Sequence, residues 1–315
     1  MCALIKRIES KSLFSLRLVF ILPLVLSSCI KIAASSEANA PFPRHVILMG
    51  FDGWSSTSYE ASNMPYLKSI INGSASSFKK RSVLPTSSAC NWASMFKGAG
   101  PEAHGYNEWN SRKPSFPPTA VNEKGEFPNI FSVLKENYPY AETGYFYQWE
   151  GMKYLFDLRN VNLVKQFPTS SLGSDEMSET AIEYIRKAKP ALLAIIWDYP
   201  DVIGHRSGWE SLQYQEELSH LDSFIEETVK VCKEIGIYDQ TLIIITSDHG
   251  GHSKTHGTIN PSDLETPLIL VGGNIRKGVI NTPILQYDVA SIIADFLFLK
   301  HPNAWRGKSP DGIFM

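Results

Sequence analysis

The chain has 315 residues, of which 43% are hydrophobic, 20% charged and 11% aromatic, a balance that excludes disordered, collagen-like and disulfide-rich proteins. At this length folding buries roughly 75% of the unfolded surface, so a sizeable core needs neither staples nor a partner. Lys and Arg number 30 against 32 Asp and Glu, so no basic field gathers nucleic acid, duplex binding is not expected, and no acidic tail calls for a basic partner.

Residues 1–29 place Lys6, Arg7, Lys11 and Arg17 ahead of an apolar run from Leu18 to Leu26. A basic stretch followed by an apolar run shorter than the roughly 20 residues of a membrane span predicts an export signal. It closes on Leu26, Ser27, Ser28 and Cys29, which resembles the bacterial lipobox. That resemblance implies a lipid anchor at Cys29 and an exported protein held to a bacterial membrane, periplasmic or at the cell surface. An uncleaved anchor, or cleavage after Ala40, is the alternative. Residues 30–43 read as a tether. Beyond it only Cys90 and Cys232 are left, so there is no disulfide framework to deduce.

From Arg44 to the end, strand-like and helix-like segments alternate, which predicts one α/β domain over 44–315 with a largely parallel central sheet flanked by helices on both faces. Three apolar runs are the landmarks. His45–Gly50 leads into Asp52 and Gly53, Ala191–Trp197 into Asp198 and Asp201, and Thr241–Thr246 into Asp248 and His249. In open α/β sheets ligands bind at the carboxyl ends of the strands, so these acidic and histidine residues are expected to converge although far apart in sequence. Helices are predicted over Met64–Asn72, Glu176–Lys187, Ser211–Ile235 and Asp288–Leu299. In the third, Leu218, Leu221, Phe224, Ile225, Val229 and Cys232 form an apolar stripe.

A first-row metal site in an exported protein without paired thiols must be built from Asp, Glu and His, a donor set suited to zinc with a position left open. Asp201 and His205 supply a carboxylate and an imidazole four residues apart, Asp248 and His249 another pair, and His256 follows seven residues later. Each alone is an ordinary turn former or helix cap.

The order of these segments resembles the alkaline phosphatase superfamily, in particular its type I phosphodiesterase/nucleotide pyrophosphatase branch. The likeness covers essentially residues 44–312. It runs through Asp52-Gly53, the Leu84–Asn91 segment, Gly100–Gly105, Asp201 to His205, Ser247–Gly250, His256-Gly257 and Gln286–Val289. It implies two divalent metal ions, most readily zinc with manganese as the alternative, one held by Asp201, His205 and His256 and the other by Asp52, Asp248 and His249. It also implies Ser88 as nucleophile and as an added ligand of the second metal. Pro85, Ser88 and Asn91 fit the family's pattern around that residue. Thr86 and Ser87 carry the same chemistry, so the choice of Ser88 rests on the alignment. His256 is preferred to His252 because Gly257 follows it.

Coordination lowers the pKa of a hydroxyl and turns a weak nucleophile into a strong one, so a phosphoseryl intermediate on Ser88 is expected. The metals are also expected to depress the pKa of each liganding carboxylate. The related diesterases place an Asn about twenty residues beyond the nucleophile to donate to a phosphoryl oxygen. Here Trp109 stands at that spacing, which leaves Asn91, Asn107 and Asn110 as candidate donors. His104 is read as structural, and Lys79, Lys80 and Arg81 as a solvated surface run.

The resemblance implies a small phosphodiester, pyrophosphate or nucleotide-like substrate. A phosphomonoesterase, phosphonate hydrolase or phosphoryl-group transferase would use the same Ser88 and metals. A non-catalytic exported binding lipoprotein should show a broken ligand set, and this one is complete. Sulfatases carry their nucleophile in a different motif, and the metal-dependent phosphoglycerate mutases need an inserted domain. Trp54, Trp92, Trp109 and Trp209 lie beside the motifs and could stack on a nucleobase, sugar or lipid-like group, with packing as the ordinary role of each.

Overall fold

The computed structural model describes residues 44–315. The expected export signal, the lipid anchor at Cys29 and the tether fall outside the described residues. Eight strands form one sheet in the order β4-β3-β5-β1-β6-β7-β2-β8. They are β1 (His45–Phe51), β2 (Ala75–Arg81), β3 (Thr143–Tyr147), β4 (Leu163–Gln166), β5 (Leu192–Trp197), β6 (Thr241–Thr246), β7 (Glu265–Gly272) and β8 (Gly278–Val279). Pairing is parallel from β4 across to β6, and β7 runs antiparallel to β6 and β2 on either side of it. The sheet is therefore largely parallel, with β7 the reversed strand.

The three apolar runs singled out in the sequence lie side by side as β5, β1 and β6 at the middle of the sheet. Their residues alternate between two cores, as a strand's two-residue period requires. Val46 and Leu48 of β1 face one core, and Ile47, Met49 and Phe51 face the other. The helices divide in the same way. Numbered in chain order, α1 (Pro65–Ile70), α4 (Ser171–Ala188) and α6 (Leu212–Glu234) cover one face. The other is covered by α2 (Ser88–Lys97), α3 (Ile130–Asn137) and α7 (Asp288–Phe296). Helix α5 (Tyr199–Ser207) follows β5.

Local chemistry sets the helix ends. The Ser211 hydroxyl accepts from the Tyr214 amide at the start of α6, and the predicted stripe from Leu218 to Cys232 is buried. Helix α4 begins at Ser171, five residues before the sequence predicts, because Ser170 caps it by accepting from the Gly173 amide. Helix α1 ends at Ile70 and tightens into a 3-10 turn over Ile71–Gly73, and α7 ends at Phe296 rather than Leu299. Among the described residues no helix is long and apolar enough to cross a membrane.

Candidate metal centre and active site

The carboxyl ends of β5, β1 and β6 bring the predicted residues together. Asp52 follows the last residue of β1, Asp201 and His205 lie one turn apart on α5, and Asp248 and His249 follow β6. His256 comes from the loop before β7. Ser88 is the first residue of α2, where the helix dipole favours an anion.

Two glycines make this convergence fit. A Cβ on Gly50 would stand 2.5 Å from the Trp92 ring, and that indole, admitted by the glycine, donates from Nε1 to Oδ2 of Asp52 at 2.8 Å. Gly53 has φ +73, and a Cβ there would stand 2.9 Å from Oδ1 of Asp201. Its amide donates to Oδ1 of Asp248 at 3.2 Å. Its carbonyl accepts from Trp209 Nε1 and from the Tyr214 hydroxyl, both at 2.7 Å.

Two triads result, Asp201 with His205 and His256, and Asp52 with Asp248 and His249. Within each, one donor atom per residue lies within 4.8 Å of the others. Nε2 of His205 is 3.4 Å from Asp201 and Nε2 of His256 is 3.7 Å from it. Nε2 of His249 stands 3.4 Å from Asp52 and 3.3 Å from Asp248. Asp198 forms a third combination with Asp52 and Asp201.

The residues fit a pair of divalent cations on three counts. Oδ1 of Asp52, Oδ1 of Asp201 and Oδ2 of Asp248 are buried without a hydrogen-bond partner, a costly arrangement unless a cation takes them up. Each imidazole turns Nδ1 to a main-chain carbonyl, His205 to Lys254 at 3.0 Å, His249 to Gly250 at 2.8 Å and His256 to Thr86 at 2.9 Å. Those bonds place the proton on Nδ1 and leave the Nε2 lone pair facing the cluster. The electrostatics agree. Burial pushes the Asp248 carboxyl up to about 7, and burial followed by neighbouring carboxylates holds Asp52 and Asp201 well above the usual range. Burial also lowers His249 to about 4 and His256 to about 3, so both are neutral. The depression of the carboxyls expected from the sequence needs the cations. With protein groups alone, desolvation and like charge act in the opposite direction.

The Ser88 hydroxyl donates to Nε2 of His249 at 3.2 Å. Its neighbours face elsewhere, Thr86 Oγ1 donating to the Thr258 carbonyl and Ser87 Oγ lying against Cys90. His252 stands apart from the triads, with Nδ1 2.7 Å from Asp263. Of the candidate phosphoryl-oxygen donors, Asn91 is turned inward. Its amide donates to the carbonyls of Val83, Pro85 and Ser87, and its Oδ1 accepts from the Val83 amide, so it shapes the loop that leads to Ser88 instead of facing the pocket. Asn110 is exposed and outside the pocket lining. Asn107 lines the pocket, and the Ser115 hydroxyl holds its Oδ1 at 2.7 Å, which leaves the NH2 end for a ligand.

A cavity of about 750 Å3 opens over Ser88, Asp201, His205 and His256. Trp54, Trp92 and Trp209 are buried, and Trp109 is 61% exposed at this cavity. Trp149 and Glu108 also line it. Neither was singled out by the sequence, where nothing marks a loop residue as facing a pocket. His104 is buried, with Nδ1 accepting from the Tyr106 amide and Nε2 2.9 Å from Ser94 Oγ, a structural place.

An alkaline phosphatase-like architecture is what this sheet, with candidate metal-binding clusters at its strand ends, defines. Wild-type alkaline phosphatase PafA superposes with a TM-score of 0.69 over 88% of this chain and 100% of its own, at 13% identity. The chain belongs to the type I phosphodiesterase / nucleotide pyrophosphatase family, which matches residues 46–267. It is similar to mouse bis(5'-adenosyl)-triphosphatase enpp4, 25% identical over 69% of this chain and 48% of that protein. A 2,3-bisphosphoglycerate-independent phosphoglycerate mutase of Haloquadratum walsbyi is 24% identical over 65% of this chain and 42% of its own. The chain thus spans about half the length of the curated relatives it matches. Murine ectonucleotide pyrophosphatase / phosphodiesterase 5, an inactive variant in complex with AMP, has the same fold, with a TM-score of 0.69 at 15% identity over 84% of this chain and 97% of its own.

Proposed function

We propose that the protein is a metal-dependent phosphodiesterase that acts through Ser88. The observation that carries this reading is the position of the Ser88 hydroxyl, at the start of a helix, in the cavity and 3.2 Å from a histidine of one triad. When bound, two divalent ions, zinc most readily or manganese, supply Lewis-acid charge for the phosphoryl group and the means to ionise a hydroxyl. Asp52, Asp248 and His249 would hold one, and Asp201, His205 and His256 the other.

The protein's own groups then have distinct tasks. Ser88 Oγ gives up its proton and bonds to phosphorus as the bond to the departing alcohol breaks and that alcohol takes up a proton, giving a serine phosphodiester that keeps the second ester group and that water later cleaves. Asn107 donates from its amide to a phosphoryl oxygen, and Ser115 keeps that amide oriented. Asn91 holds the loop that presents Ser88. No Lys or Arg lines the cavity, so it offers a singly charged diester what it needs and leaves the second charge of a monoester without a side-chain partner. The resemblance of Leu26, Ser27, Ser28 and Cys29 to the bacterial lipobox, after a basic stretch and an apolar run, supports an exported enzyme anchored at Cys29. Release of the protein from membranes by Cys29→Ser tests that part.

The activity is tested with the zinc-loaded protein on bis-p-nitrophenyl phosphate, p-nitrophenyl phosphate and the p-nitrophenyl ester of thymidine monophosphate, with chelator controls. Chelator-sensitive preference for the diesters is expected. Preference for the monoester would replace this reading with a phosphatase.

A further inference from the structure

The segment that leads to Ser88 is tied to two parts of the protein at once. Asn91, in the first turn of α2, donates from its amide to the carbonyls of Pro85 and Ser87 at 3.1 and 3.0 Å. The carbonyl between those two, that of Thr86, accepts instead from Nδ1 of His256 at 2.9 Å. The Thr86 hydroxyl makes the same crossing and donates to the Thr258 carbonyl at 2.8 Å. Thr86 is fully buried, so both bonds are sheltered from competing water.

Two bonds to residues two apart fix more than one could. A single bond is a pivot, whereas bonds to His256 and Thr258 set both the distance and the angle between the two segments. The far side of the contact is equally firm. Oδ2 of the fully buried Asp263 accepts from the Thr258 amide at 3.0 Å and from the Thr258 hydroxyl at 2.7 Å, and the Asp263 carbonyl accepts from the Gly250 amide at 2.8 Å. The loop is thereby pinned just after His249 and just after His256, whose rings are stacked with centroids 3.8 Å apart. Thr86 spans the two halves of the site, since Ser88 stands beside His249 of one triad while Thr86 itself reaches His256 of the other. Any residue would supply the carbonyl that steadies His256. The hydroxyl is particular to Thr86, and β-branching restricts the rotamer that carries it.

We propose that Thr86 is a positioning residue, which fixes the separation between the Ser88 hydroxyl and the triad of Asp201, His205 and His256. This rests on the diesterase reading above and deepens it. Displacement at phosphorus is sensitive to such a separation, because a misplacement of about 1 Å can cost about a hundredfold in rate.

The test uses two variants of the full chain. Thr86→Val removes the hydroxyl but keeps the carbonyl and the shape of the side chain, and Thr86→Ser keeps the hydroxyl. Zinc binding is measured without substrate, by competition with a chromogenic chelator. Thr86→Val is expected to hold one of the two zinc equivalents, the one that His256→Ala loses, about tenfold or more weakly, the scale for loss of a group that orients a ligand, and to hold the other unchanged. At saturating zinc its kcat on bis-p-nitrophenyl phosphate is expected to fall by about tenfold or more with KM unchanged. Thr86→Ser is expected to match the unmodified protein in both. Unchanged zinc affinity and kcat in Thr86→Val overturn the proposal, and so does an equal loss in Thr86→Ser, which would assign the effect to the methyl group. Weakening of both equivalents, with a lowered Tm of the zinc-free protein, also overturns it, as a general loss of fold. If the unmodified protein cleaves no diester, the diesterase reading falls, and zinc competition alone decides the role of Thr86.

Discussion

The Lys80 ammonium donates to the Ser247 carbonyl at 2.9 Å, with Oε1 of Gln286 as a second acceptor. A fully buried cation thus braces the turn that carries Asp248 and His249. Burial lowers its pKa to about 7, against the opposing pull of Asp248. The sequence places Lys80 in a solvated run with Lys79 and Arg81, but an irregularity in the pairing of β2 with β7 between Ser77 and Lys80 changes which side chains face inward.

Lys80→Met is expected to lower the unfolding free energy by about 1 to 3 kcal/mol, because it orphans a buried amide oxygen at Gln286. Urea denaturation of the zinc-loaded protein measures it. Unchanged stability would mean that the Lys80 contacts contribute nothing net.

Ser88→Ala is expected to reduce kcat by about a thousandfold or more, the scale seen when a nucleophile is removed, and to keep fold and metal content, since the side chain makes a single hydrogen bond. Steady-state kinetics with metal analysis on the same sample checks both. Retained turnover would pass the role to Thr86 or Ser87.

His256 and His252 separate cleanly by metal analysis. His256→Ala removes an imidazole facing Asp201 and is expected to lose one of the two metal equivalents, whereas His252→Ala breaks only the contact with Asp263 and is expected to keep both. The reverse result would exchange the two assignments.

Chelation is expected to lower Tm by about 5 °C or more, because Asp52, Asp201 and Asp248 then face one another with unpartnered oxygens. Thermal melts with chelator, and again after zinc is restored, read the effect. Identical melts would remove the argument that these carboxylates need a cation.

His104 gives an acid-side dependence away from the metals. Burial, then the Lys97 charge, lowers its pKa from 6.5 to about 3. A lowered folded pKa means that its share of stability is complete above pH 6.5 and is lost as pH falls from 6.5 toward 3. His104→Ala is therefore expected to be less stable at pH 7 but to lose stability less steeply on acidification, by up to about 1.4 kcal/mol per pH unit. Parallel curves for the two proteins would place the acid sensitivity elsewhere.

Much of the frame is legible in the residues. β1, β5 and β6 are apolar runs of strand length because both faces of a central parallel strand are buried, and the Asp and His residues that end them mark the crevice. The outer strands are harder to read. β2 is polar through Ser76, Ser77, Lys79, Lys80 and Arg81, and β4 has only four residues. Among the site residues, those on regular elements, such as Asp201 and His205 on α5, can be placed by spacing. The choice among Asn91, Asn107 and Asn110 cannot, because it depends on which loop carbonyls each amide meets. The four tryptophans beside motifs look alike in sequence. Only packing separates Trp109 from the buried Trp54, Trp92 and Trp209.

The imidazoles of His205, His249 and His256 all lean on carbonyl oxygens of the peptide backbone. A support of that kind belongs to the path of the chain and not to the identity of the supporting residue, so the side chain at Lys254 can vary without releasing the ring beside it. The site is consequently vulnerable to insertions and deletions between β6 and β7, which shift carbonyls in space, and tolerant of substitutions there that leave the path unchanged. Loop length would be the quantity that this centre cannot trade.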